Sequence, residues 1–293
     1  MVAGNTITTS LSDSLFEVAG AARSTREYTG RMSQLVRKET LGEGVGNTWN
    51  EVKFSKLTAM RVTETTKLDN PQQFADSLLS LTPTMVVIQT FVTDRVKLRI
   101  NKKSLAQMGK LGQEAVMRLR DLDGLDVLAT GNFGCSPGAG NVLTSGHIAA
   151  AKANITSNTT EPYAGSDVYC VLHGFQIKDI YDELVAGIGT YAIPEGATAN
   201  VFKNGYNLPV AGVTVFEDGN IAIDSSDDAI GGVFARDAII CVQGRAPRVV
   251  SVRDEFTGGG GEHVLHYDEY VFGLGNSTTW IYYLISDATA PTS

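Results

Sequence analysis

The spacing of apolar residues changes period along this chain, and each change predicts an element. From 48 to 66, Trp49, Val52, Phe54, Leu57, Ala59 and Val62 are spread among polar residues in a loosely alternating, Thr-rich pattern. That pattern predicts a strand exposed on one face. A second extended segment at 84–92 contains Met85-Val86-Val87-Ile88 and Phe91-Val92. Between them, 67–81 turns at Asn70-Pro71 and carries a short helix over 72–79. Together these make a long projecting hairpin with an apolar tip of Leu68, Phe74, Leu78, Leu79 and Leu81. A two-stranded hairpin is marginal in water, so one this long needs a surface to lie on.

The pattern then passes through Thr93-Asp94 into a helical period. Ser104 followed by Gln107 predicts a capping box, in which each side chain bonds a backbone N–H left unpaired by the first turn. Leu105, Met108, Leu111, Ala115, Leu119, Leu122 and Leu125 recur every three or four residues and predict one apolar helix face. Carried to Ala129 the helix is about 39 Å long at about 1.5 Å per residue, long for an ordinary globular domain. Beyond it, 131–160 reads as loop with a short helix at 146–153. A buried strand is predicted at 168–172 and an amphipathic helix at 175–185 through Phe175, Ile177, Ile180, Tyr181 and Leu184. Further strands are predicted at 210–216, 221–223, 238–242, 246–253, 262–272 and 279–285. The first 46 residues are polar, broken by glycines, and contain one short helix at 11–22. They read as an arm, and no internal repeat is present.

Composition narrows the class. The chain has 293 residues, 43% of them hydrophobic, enough for a sizeable core. Only 19% are charged, which is low for a soluble domain. A surface short of charge fits an exterior covered by neighbouring copies, and a monomer with a large core gives the same statistic. The net charge of −8 argues against a dedicated nucleic-acid binder, which needs excess Lys and Arg to displace counterions.

The charge is unevenly spread. Arg95, Lys97, Arg99, Lys102, Lys103, Lys110, Arg118 and Arg120 stand against a single Glu114, whereas 161–230 sets Lys178 and Lys203 against eleven acids. The basic run is a solvated helix face, a partner for acids on another subunit, or a contact for packaged nucleic acid. Cys135, Cys170 and Cys241 are odd in number and far apart, which predicts no disulfide framework and fits a reducing cytoplasm. The N-terminus has no signal-peptide pattern, and no apolar run is long enough to span a bilayer.

Few residues carry candidate chemistry. Gly42, Gly44 and Gly46 precede a predicted strand, whereas a dinucleotide loop opens a helix, and 258–261 lacks the Gly-Lys-Ser/Thr ending of a phosphate loop. His263 and His266, near Asp268 and Glu269, are three apart on a strand and therefore point to opposite faces. His147 and His173 have no nucleophile in a recognisable setting, and Ser145-Gly146-His147 is not a nucleophile elbow. No catalytic, cofactor-binding or metal-binding residue is assigned, and no cofactor is expected.

The order of parts is more specific than any one motif. Thr90-Phe91-Val92-Thr93-Asp94 leads through the long helix to Arg120-Asp121-Leu122-Asp123 and Ala129-Thr130-Gly131. Val168-Tyr169-Cys170-Val171-Leu172-His173 is followed by the helix from Phe175, then by Pro209–Val215 and Phe234-Ala235-Arg236-Asp237-Ala238. In this order the chain resembles, over nearly its whole length, the major capsid proteins of tailed bacteriophages with the Hong-Kong-97-type fold. One departure is His173-Gly174, where many relatives have His-Pro.

The resemblance implies an α+β fold: an N-terminal arm at 1–47, an extended loop at 48–92, and a peripheral domain with a spine helix at 93–165. An axial domain at 166–245 and return strands of the peripheral domain at 246–293 complete it. It implies a coat protein forming hexamers and pentamers of an icosahedral shell around double-stranded DNA, assembled in the host cytoplasm. A separate scaffolding protein, a portal and decoration proteins are the further partners, with no membrane. Lys67, Leu68, Phe74 and Leu78 are the expected inter-subunit residues at the loop tip. Lys102, Lys103 and Lys110 are the expected interior basic face, touching DNA weakly and without sequence preference. Some relatives cross-link a loop lysine to a neighbour's asparagine; Lys56 and Lys67 lie in the hairpin, but no matching Asn or Glu is assigned and no cross-link is expected. The alternatives are the shell of a cellular nanocompartment, marked by an inner groove for cargo, and a soluble α/β enzyme, marked by monomeric elution with turnover.

Overall fold

The computed structural model describes residues 28, 30–44, 46–67, 69, 71–99, 102–188, 209–257, 259–275 and 278–292; the side chains of 102–108 and 184–188 lie outside that description. The helix expected at 11–22 also lies outside the described residues.

Two sheets form the body of this α+β fold. In the first, β1 (Arg37–Thr40), β9 (Ile239–Asp254), β10 (Gly261–Leu274) and β4 (Thr84–Thr93) lie side by side in that order. β1 runs parallel to β9, and the other pairs are antiparallel. The second has the order β11 (Ile281–Asp287), β8 (Asp228–Ala235), β5 (Val168–Leu172), β7 (Val213–Glu217) and β6 (Pro209–Val210). A separate two-stranded hairpin joins β2 (Trp49–Phe54) to β3 (Asp76–Leu81).

The helices are α1 (Met32–Leu35), α2 (Asp94–Arg99), α3 (Lys102–Ala129), α4 (Ser145–Thr156) and α5 (Gly174–Ile188). At 28 residues α3 is about 42 Å long. It lies across β10, β9 and β4 and continues onto β8 and β11, so one rod fastens both sheets. α4 packs on β6, β7 and β8. Gln176 of α5, fully buried, donates to the Ala229 carbonyl at 2.9 Å and Ser286 Oγ at 2.7 Å, tying α5 to β8 and β11. At the unusual His173-Gly174 junction, the His173 N–H donates to Gln176 Oε1 at 3.1 Å, so a side chain and not a proline fixes the turn.

Several expectations need correction. The strand returning from the hairpin is 76–81, pairing Trp49 with Leu81 and Phe54 with Asp76, while 84–93 belongs to the first sheet against β10. No helix forms over 72–79: Leu78 faces Val52 across the ladder, and cross-strand pairing outweighs the weak local helical signal. Ser104 is the third residue of α3, so it does not cap the helix.

The buried face of α3 is also offset from the predicted stripe. Gly112, Val116, Asp121, Gly124 and Leu128 are buried, whereas Leu119 is 40% and Met117 49% exposed. Glycine decides this: a methyl group at Gly112 would sit 2.6 Å from His266 Nε2, and one at Gly124 would sit 2.8 Å from Met32 Cβ. The bare backbone lets the helix approach the sheet more closely than leucines permit.

The strands predicted at 238–242 and 246–253 are one continuous β9, bent by a register shift opposite 267–270. The expected boundary at 245/246 therefore falls inside a strand of the first sheet. β11 closes the second sheet rather than the first, and β8 is not marked by the residue pattern, although its end, Phe234-Ala235, lies in a stretch that carries the resemblance. The strand predicted at 210–216 is broken by Ala211 and Gly212, both at positive φ, and 221–223 contributes only a bridge at Ile223. Residues 30–40 belong to the body: Met32, Leu35 and Val36 are buried in the core.

Candidate assembly surfaces

The β2–β3 hairpin exposes the residues a folded chain normally hides. On one face, Val52 is 48%, Phe54 67% and Leu78 64% exposed, and Phe74 in the connection is 69% exposed. Leu57, Met60 and Val62 extend this apolar series through the 55–75 connection. Contiguous exposed apolar surface of this kind marks an interaction site in a soluble protein.

Among the described residues, the hairpin is anchored at its base. Arg37 pairs with Glu51 at 3.0 Å and Lys53 with Glu161 at 2.5 Å, bridging a cleft of about 720 Å³ between hairpin and body. Leu81 packs onto Gly273, where a methyl group would meet it at 2.3 Å. Burial and hydrogen bonding to two carboxylates compete at Arg37; the carboxylates win and its pKa rises. The base is held by charge and packing, and the far end reaches away from its own chain.

Of the residues expected at the loop tip, Lys67 and Phe74 are exposed in the 55–75 connection, whereas Leu78 sits within β3. Leu68 lies outside the described residues. Another unpartnered surface was not anticipated: on the sheet face away from α3, Met85 is 77%, Val87 51% and Val252 46% exposed. These positions share a face because Val87 pairs with Tyr267, Met85 with Glu269 and Val252 with His263. Strict alternation would have signalled them, but the run Met85-Val86-Val87-Ile88 looks buried on both sides.

The basic run does not form one continuous face. Lys97 pairs with Glu262, and Arg120 turns inward, its side chain only 11% exposed. Arg95, Arg99, Lys110 and Arg118 are exposed. Lys102 and Lys103 are in the first turn of α3, and their side chains lie outside the described residues.

Arg120 belongs to a buried polar cluster that sequence reasoning missed. Its guanidinium lies 3.5 Å from Asp268 Oδ2, donates to Cys241 Sγ at 3.1 Å, and stands 5.1 Å from the Tyr270 ring centre. Asp268 Oδ1 accepts from Gln243 at 2.6 Å and from the Glu269 N–H at 2.9 Å. Tyr270 donates to Asp123 at 2.8 Å, and burial, followed by that bond, pushes its pKa well up. The cluster pins α3 to β9 and β10. His263 and His266 are divided as expected: His263 meets Asp254 and Gln89, while His266 is buried under Gly112.

No family model and no curated protein matches the sequence. Solved structures do match, over almost the entire chain. A structure from Mycobacterium phage Che8 is 14% identical, with 94% of this chain and 97% of that one aligned at a TM-score of 0.71. The capsid asymmetric unit of cyanophage Pam1 is 11% identical over 99% and 100%, with a TM-score of 0.69. The mature capsid of bacteriophage PhiM1 is 11% identical over 94% and 92%, with a TM-score of 0.67.

The fold is that of phage capsid proteins. Among the described residues, no group of His, Cys, Asp and Glu is placed to hold a metal ion, and no helix is long and apolar enough to cross a membrane. Cys135, Cys170 and Cys241 are each buried and unpaired.

Proposed function

We propose that this chain is the major capsid protein of a tailed bacteriophage, a structural protein that assembles into an icosahedral shell around double-stranded DNA. The observation that carries this reading is the likeness to phage capsid structures over 94–99% of the chain, joined to an apolar hairpin its own body does not cover. The mechanism is geometric. The second sheet and its helices serve as the axial domain that closes rings. α3 and the first sheet serve as the peripheral domain, with the hairpin reaching across to a neighbour so that many weak contacts sum into a stable shell. Purified protein, alone and with a co-expressed scaffolding protein, is expected to sediment as large particles and to show rings or shells by electron microscopy. A strictly monomeric product with enzymatic turnover overturns this reading.

The exposed cations of α2 and α3 are assigned to the shell interior, facing DNA or a neighbour's acids. Phosphate contacts there carry no sequence information and weaken with salt. Replacing Lys102, Lys103 and Lys110 with Gln is expected to lower genome retention or shift the salt dependence of assembly, with the subunit's melting temperature little changed. Unchanged retention and assembly across ionic strengths would mark these lysines as a merely solvated face.

A further inference from the structure

The root of the N-terminal segment is gripped by two buried carboxyls from different parts of the fold. Asp121, midway along α3, accepts the Met32 N–H at 2.9 Å and the Asn220 side-chain amide at 2.9 Å. Asp218, just after β7, accepts the Arg31 N–H at 3.1 Å and the Asn220 N–H at 3.0 Å. Their exposures are 2% and 0%. Both side chains also bond Asn220, one through its side-chain amide and the other through its backbone N–H, so two carboxyls shut off from water converge on one residue. Gly30 lets the chain pass directly over this pair: a methyl group there would sit 2.2 Å from Asp121 Cγ.

We propose that Asp121 and Asp218 form a proton-gated latch, holding the 30–32 segment against α3 while Asp218 is protonated and loosening it when Asp218 ionises. Three elements meet at the pair, namely the N-terminal segment, α3 and the loop after β7, so one ionisation acts on all of them. Among the described residues, the other titratable or charged groups facing Asp218 are Tyr28 and Arg31 from the N-terminal segment and Glu217 from β7. Of these only Arg31 is cationic, and the negative Glu217 adds to the repulsion.

The direction of the pH effect follows from the environment of Asp218. Burial and then the charge of Asp121 push its pKa up to about 7, against the pull of the Asn220 and Arg31 N–H groups. A carboxyl raised in the folded state binds its proton more tightly there than in the unfolded chain. The latch is therefore at full strength below about pH 4 and is lost as the pH rises through the folded value. It operates within a single subunit, whether or not subunits assemble.

Hydrogen–deuterium exchange of the Arg31 and Met32 amides in the full chain tests this, with each rate divided by that of an unstructured peptide at the same pH. Protection is expected to fall at least about tenfold between about pH 5.5 and about pH 8.5, while the amides of β10 keep theirs. Asp218→Asn replaces the ionisable carboxyl with an amide of the same shape that cannot ionise, so its protection at Met32 is expected to stay flat. A flat wild-type profile, an equal loss in β10, or an undiminished fall in a folded Asp218→Asn variant overturns the latch. Should that variant fail to fold, the wild-type profile against β10 still decides.

Discussion

Joining Phe54 to Asp76 through a two-residue Asn-Gly turn in place of 55–75 is expected to give a subunit that folds but forms no shells. Phe54 and Asp76 are a directly opposed pair at the end of the ladder, so a two-residue turn closes the hairpin without disturbing its register. The excised segment contains Leu57, Met60, Val62 and Phe74, all exposed and none part of the core cluster. Both ion pairs at the base and the Leu81–Gly273 contact stay in place. Little folding free energy is removed, and the melting temperature should move by no more than a few degrees. Four of the seven exposed apolar side chains of the loop, and with them its far end, are in contrast gone. Sedimentation velocity and electron microscopy read the result: the variant is expected to remain in slowly sedimenting species under conditions where the wild type forms particles. Shells at wild-type yield would show that the hairpin is not an inter-subunit clamp.

Much of the architecture was legible because periodicity reports burial wherever burial is one-sided. α3, β5, α5 and β10 fall close to where spacing put them. The misses have specific physical origins. β8 contains Gly231-Gly232, which lowers strand propensity, yet close approach demands both: methyl groups there would lie 2.5 Å from the Val171 carbonyl and 2.8 Å from the Tyr282 carbonyl. The apolar stripe of α3 was misplaced because leucine spacing carries no record of which side has the glycines.

The assignment of β11 to the second sheet and the true partner of β2 are long-range pairings, which no local pattern encodes. The candidate surfaces were half visible. An apolar hairpin can be read from sequence, but the exposed sheet face and the inward turn of Arg120 depend on what packs above them.

Arg120→Met is expected to cost the subunit about 3–5 kcal/mol, the largest loss foreseen for a single substitution, because it strands a buried charge. Asp268 has 1% of its side chain exposed and Arg120 11%, so water cannot replace the missing guanidinium. The two remaining donors, Gln243 and the Glu269 N–H, both serve Oδ1 and leave Oδ2 without a hydrogen bond. Asp268→Leu should be similarly costly, since it leaves Arg120 buried with only the Cys241 sulfur and the Tyr270 face. The combined Arg120→Met, Asp268→Leu variant removes both charges and fills their volume with apolar atoms, so it should be more stable than either single variant. Urea unfolding of disassembled subunits measures all three. At about 2–4 °C per kcal/mol for a large domain, each single change should also lower the melting temperature by roughly ten degrees. Single-variant losses below about 1 kcal/mol, the range of an exposed ion pair, would mean that water reaches the pair and that α3 is held to the sheet by packing alone.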